Sequence, residues 1–217
     1  NYTFIRDLRV PFFLSMTTPI ATDTELSAVN SILGSIGQSP ITTLNFQNPE
    51  ISFIHNILTE VTKDVLNEGW HFNTENHIKF SPDANGNITI PVNYLRFDLN
   101  DGQADRMMDL VKRNGKLYDL VDHTDVFDHD VELDVVYLYA FEDIPSVFQR
   151  YIIARASTRA ATQLVTNAEL VKLLQGQEGL ARASLMEYEC NQGDHSFMGW
   201  PKNSVYRAYQ PYKSLIR

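Results

Sequence analysis

Residues 144–191 read IPSVFQRYIIARASTRAATQLVTNAELVKLLQGQEGLARASLMEYECN. Ile144, Phe148, Tyr151, Ile152, Ala156, Ala160 and Leu164 recur at three- and four-residue steps, which places them on one face of a helix. Pro145 suits a first helical position, where its missing N–H costs nothing. Thr166 and Glu169 have capping-box spacing, so a second helix is expected from there, with Leu170, Leu174, Ala181, Leu185 and Tyr188 on its buried side. Alanines at 154, 156, 160, 161, 181 and 183 remove bulk and let another helix approach closely, within the bundle or from a neighbouring subunit. Helices of this kind draw most of their stability from burying an apolar face. The remainder of the chain must supply the surface they pack on.

Upstream, two more helices are expected. Thr22 or Thr24 caps the first, Leu26, Val29, Leu33 and Ile36 form its stripe, and Gly37 and Pro40 end it. Asn48-Pro49-Glu50 opens the second with a cap, a first-turn proline and an acid near the positive helix end. Ile51, Ile54, Leu58, Val61 and Val65 then step down one face, widened by Ile57 and Leu66, until Gly69. Between the two helical pairs the pattern changes. Ile78 and Phe80, then Ile88 and Ile90, flank Asp83-Ala84-Asn85-Gly86 and read as a hairpin. Tyr94–Leu99 is a strand candidate. The segments 110–113 and 116–120 flank Asn114-Gly115, a strong two-residue hairpin signal. Val131, Leu133, Val135, Tyr137 and Tyr139 alternate along a last strand. The expected fold is α+β: a bundle of about four helices from 24–69 and 144–191, an antiparallel β region inserted at 70–143, an arm at 1–23 and a tail at 192–217.

With 217 residues the chain can bury a substantial core. Its 27 acids against 18 bases leave a net charge of −9, which argues against a protein that coats or reads nucleic acid. Cys190 is the single cysteine and excludes a disulfide within the chain; its helical position points to an inert, partly buried thiol. No apolar run reaches the length of a membrane span. Val10–Met16 follows two arginines but is broken by Pro11 and Ser15, so it reads as an ordered or partner-bound arm rather than a secretion signal. At the other end Trp200, Tyr206, Tyr209 and Tyr212 alternate with basic residues and lack a helix pattern. Aromatics of this kind anchor interfaces, so this tail is expected to be loosely ordered in the free subunit and to dock on assembly.

The densest cluster of titratable groups is Asp122-His123-Thr124-Asp125-Val126-Phe127-Asp128-His129-Asp130. Its spacing matches neither H-E-x-x-H nor a calcium loop, so it reads as a solvated acidic loop, with no metal and no cofactor assigned. Cys190 has no activating neighbour, and G-x-S-x-G and G-x-G-x-x-G are both missing. His55 beside the second helix's stripe reads as a packed or rim histidine, and His71 and His77 lack ligand-like spacing. No catalytic residue is assigned.

TELSAVNSILGSIGQSPITTL (24–44), LNEGWHFN (66–73), the segment from Pro145 to Ala154, and MEYE (186–189) together resemble tail tubular protein A of short-tailed bacteriophages, in the same order and over about residues 24–195. The most specific parts are E-L-S-A-V-N-x-I-L-x-S-I-G and G-W-x-F-N. The resemblance implies a head-to-tail adaptor or gatekeeper, a virion protein assembled in the host cytoplasm. It implies a homododecameric ring beneath the portal protein and above the tail nozzle, tail tubular protein B. Double-stranded DNA would pass through without specific binding, and no membrane is involved. On that basis Trp200, Tyr206, Tyr209 and Tyr212 are expected to bind the portal or a neighbouring subunit, and the hairpin tip Arg113-Asn114-Gly115-Lys116 to face the nozzle. The alternative is a tail-associated cell-wall or polysaccharide hydrolase, whose carboxyl groups would have to come from Asp122–Asp130.

Overall fold

The structure, a computed structural model, describes residues 24–99 and 108–193. Four helices and two small antiparallel sheets follow in the order α1 (Glu25–Ser35), α2 (Pro49–Leu66), β1 (Thr74–Phe80), β2 (Tyr94–Leu99), β3 (Leu110–Arg113), β4 (Lys116–Asp119), β5 (Val131–Tyr137), α3 (Ser146–Ala160) and α4 (Ala168–Gly193). The α+β expectation holds.

Local chemistry explains the helix ends. Thr24 Oγ1 accepts from Ser27 N at 3.3 Å and caps α1; Thr22 lies outside the described residues. Gly37, at φ +80°, stops α1, and Gln38 N closes back on Leu33 O. Asn48 caps α2 through Glu50 N at 3.0 Å, with Pro49 in the first turn. Every residue of the expected α2 stripe is buried. The α1 stripe is rotated slightly from expectation: Ala28, Val29, Ile32 and Leu33 are buried, whereas Leu26 is half-buried.

The helical hairpin differs from its sequence reading at one joint. Ala161–Val165 is a π-turn, closed by Thr166 N on Ala161 O at 3.1 Å. The wider turn shifts the helical phase, so Leu164 is exposed instead of continuing the buried face. Thr166 takes a left-handed φ of +53° and cannot cap. Asn167 does so instead, accepting from Glu169 N at 3.0 Å and Leu170 N at 3.3 Å. Pro145 stands just outside α3, where its carbonyl accepts from Phe148 N and Gln149 N.

The three-stranded sheet has the order β1-β5-β2, all antiparallel, and β3-β4 form a separate hairpin. Asn114 and Gly115 take φ +52° and +77°, as the expected two-residue turn requires. The expected pairing of residues 78–80 with 88–90 does not form. A turn is present, with Gly86 N on Asp83 O and Asp83 N on Asn87 O, but the chain then leaves β1. Ile88 and Ile90 run beside β4 instead, through Leu117 N on Ile88 O and Ile90 N on Gly115 O. There they are buried with Leu117, Phe127, Val131, Leu133 and Val135. Burial in this second core decides the partner, which a local pattern cannot reveal.

Helix α3 is the hub of the bundle and packs against α1, α2 and α4. The first core joins α1, α2, Trp70, α3 and Leu185 of α4. Gly176 and Gly179 lie inside α4 with no atom within 4 Å of where a Cβ would stand. A helix-interior glycine costs about 0.5–1 kcal/mol relative to alanine. Gly176→Ala is therefore expected to stabilise the subunit by about that amount, raising Tm by roughly 1–4 °C in a calorimetric scan.

Candidate interaction surfaces

The G-W-x-F-N motif forms the joint between bundle and sheet. Gly69 turns the chain at φ +79°, and a Cβ there would lie 3.0 Å from Arg96 Nη2. Trp70 is then buried, its indole Nε1 donating to Val65 O at 2.6 Å. Asn73, fully buried, accepts from Trp70 N at 2.7 Å and donates Nδ2 to Leu66 O at 2.9 Å and Tyr137 O at 3.0 Å. Helix α4 grips the same joint: Glu189 Oε1 accepts from His71 N at 2.7 Å. Arg182 Nη2 donates to Glu68 Oε2 at 2.6 Å, and its guanidinium lies 4.9 Å from the Trp70 ring and 5.2 Å from that of Tyr151. Burial opposes the Arg182 charge, yet Glu68 and Tyr151 leave its pKa raised. Asn30 of the other specific motif clamps the following loop, donating to Ile41 O at 2.9 Å and accepting from Ile41 N at 2.7 Å. His55 is a rim histidine as expected, 3.3 Å from Glu25 Oε2 and edge-on to Phe46.

The acidic loop does not converge on a common centre. Lys116 Nζ stands 3.9 Å from Asp125, and Lys79 Nζ bonds Asp130 at 2.8 Å. His129 Nδ1 bonds Asp128 and, as the largest influence, holds that carboxyl below the ordinary carboxylate range. The hydrogen bond from Lys79 is the main reason that the Asp130 pKa is lowered too. Asp119, buried, is spent on backbone N–H groups of Val121 and Asp109. Among the described residues no group of three His, Cys, Asp or Glu side chains is arranged to hold a metal ion.

The hairpin tip is exposed from Lys112 to Asn114 but tied to its own chain. Arg113 covers the Tyr118 ring at 3.9 Å, Lys116 Nζ donates to Asn87 Oδ1 at 2.9 Å, and Lys112 Nζ to Pro91 O at 2.7 Å. Trp200, Tyr206, Tyr209, Tyr212 and the arm lie outside the described residues. Cys190 is exposed rather than partly buried, because it sits on the side of α4 turned away from α3.

Sequence reading missed a surface on α4. Its inner stripe packs as expected, with Leu174 and Leu185 buried. Leu173 and Leu180, one heptad apart on an adjoining flank about 100° round the helix, are 69% and 74% exposed. That i, i+7 repeat was the available signal. No helix among the described residues is long and apolar enough to cross a membrane.

The bundle and the three-stranded sheet meet at a buried asparagine, and Asp125, Asp128 and Asp130 each face a different base. The family model described as tail tubular protein matches residues 26–195, and the chain belongs to that family of phage tail structural proteins. Tail tubular protein A of Klebsiella phage KP34 is 32% identical over 121 residues. That match covers 56% of this chain and 62% of the relative, less than two thirds of its length.

Proposed function

We propose that this protein is the adaptor ring between the phage portal and the tail nozzle, built from copies of this chain around the DNA ejection channel. Membership of the tail tubular family over residues 26–195 carries this reading. A net charge of −9 supports it, since an acidic lumen repels phosphates and lets the duplex slide. Twelve copies match the ring expected beneath a portal, and the assembly is tested by mass photometry and negative-stain imaging with purified portal. Rings on the portal are the expected result; a persistent monomer in its presence overturns the proposal.

In this ring Trp200, Tyr206, Tyr209 and Tyr212 anchor the tail on the portal or an adjacent subunit, and the tip Arg113–Lys116 faces the nozzle, tail tubular protein B. Burying each aromatic contributes roughly 1.5–3 kcal/mol. Truncation after Gly199 is expected to leave the subunit's Tm unchanged and to weaken portal capture at least tenfold. Unaffected capture would remove the tail from the interface.

A further inference from the structure

Helix α4 is apolar on two flanks about 100° apart, and exposed apolar surface that is contiguous marks an interaction site. One side meets α3. The other carries Leu173 and Leu180, with Gly176 and Ala183 between and beyond them, and is open. Near one end of this ridge Leu173 is flanked by exposed Glu169 and Lys172.

A matching recess lies on the far flank of the bundle. Leu58, Thr59, Thr62, Tyr139 and Phe141 line a half-open cavity of about 120 Å³, with Glu25 and Lys63 among its walls. An enclosed space of roughly 150 Å³ takes a benzene ring, so this one takes a single isobutyl group. Its direction follows from helix geometry. Glu60 and Asp64 of α2 reach Arg159 of α3 at 2.8 and 3.7 Å, and Glu68 reaches Arg155 at 3.7 Å. Thr59, Thr62 and Lys63 lie round α2 from Glu60 and Asp64, on the flank that meets Tyr139 and Phe141.

We propose that Leu173 of one copy of this chain seats in the recess of the next, with Lys172 meeting Glu25 and Glu169 meeting Lys63. The charges are complementary pair by pair, and the recess is the size of the side chain offered to it. Gly176 and Ala183 let the neighbour's α2 approach the α4 backbone, a use for small residues that packing within the chain does not require. Two different patches meeting head-to-tail form a heterologous interface, which closes a ring when the rotation per subunit allows it. The inference rests on the ring reading above and specifies the surfaces that build it.

Disulfide trapping in a Cys190→Ser background tests it, using Leu173→Cys, Thr59→Cys and the double variant in the presence of portal. The double variant is expected to give a ladder of cross-linked species on oxidation, and each single variant to stay monomeric on a denaturing gel. Leu173→Asp, on an exposed site, is expected to keep the wild-type Tm and weaken self-association at least tenfold. Cross-linked dimers from Leu173→Cys alone would mean that α4 pairs with itself, and would overturn the proposal. So would Leu173→Asp losing portal capture while self-associating normally, since the portal would then be the occupant. Normal rings from both Leu173→Asp and an uncross-linked double variant would sink these surfaces and leave the ring standing. Wild-type protein that never assembles would sink the ring, and this interface with it.

Discussion

Phe148→Ala is expected to cost about 3–5 kcal/mol, the range for removing a fully buried aromatic ring from a core. Phe148 is 0% exposed and stands in the first turn of α3. Its ring centroid lies 5.1 Å from that of Trp70, 4.6 Å from Phe72 and 6.0 Å from Tyr188. One side chain thus joins α3 to the G-W-x-F-N turn and to α4. Alanine would leave a void whose walls belong to three separate elements, and such walls collapse poorly. At about 2–4 °C per kcal/mol for a chain of this size, Tm should fall by roughly 10 °C or more. Phe148→Leu keeps much of the volume and should lose less than half as much. Thermal unfolding followed by circular dichroism measures both. A shift of only a few degrees for the alanine variant would show that the aromatic cluster does not hold the bundle to the joint.

How far the sequence could be read depended on the range of the interaction concerned. The stripe of α2, the caps at Thr24 and Asn48 and the Asn114-Gly115 turn were all legible, because each is set within a few residues. The π-turn at Ala161–Val165 was not, since nothing in A-T-Q-L-V departs from ordinary helical composition. Strand order was hidden for a different reason. Pairing β1 and β2 with β5 depends on which apolar faces meet across distant segments, and the 83–87 turn by itself suggested a hairpin that burial of Ile88 and Ile90 overrides. The interaction surfaces divide in the same way. Acid spacing already spoke against a centre at 122–130, and in the structure Asp125, Asp128 and Asp130 each face a different base. The outer ridge of α4 was masked by the inner stripe, because alternate faces of one helix share the same short stretch. Asn73 was visible as a letter in a family motif, without a physical role.

That role supports the second large effect. Asn73→Ala is expected to destabilise the subunit by about 2–4 kcal/mol, although it removes few atoms. Trp70 N and Tyr137 O lose their contacts to the amide in a buried setting, at a cost of about 1–3 kcal/mol for each group left unsatisfied. Leu66 O is partly spared, since Gly69 N also donates to it at 3.2 Å. The backbone bond from Tyr137 N to Asn73 O survives, so the strand should loosen from α2 without leaving it. Asn73→Asp separates hydrogen bonding from shape. Its carboxylate can still accept from Trp70 N, but two carbonyl oxygens then face a negative charge where the amide had donated. Burial and those carbonyls raise the folded pKa of such a carboxyl above its unfolded value near 4. A group shifted in that direction is best tolerated below the unfolded pKa, where the neutral acid can donate to one carbonyl, and stability falls as pH rises through the folded value. The aspartate variant should therefore lie closer to wild type at pH 4 than at pH 8, while the alanine variant keeps a nearly constant deficit. Chemical denaturation at the two pH values distinguishes them. Equal deficits for Asn73→Asp at both would mean that the side chain does not donate to Leu66 and Tyr137, and that the joint between bundle and sheet is held by packing alone.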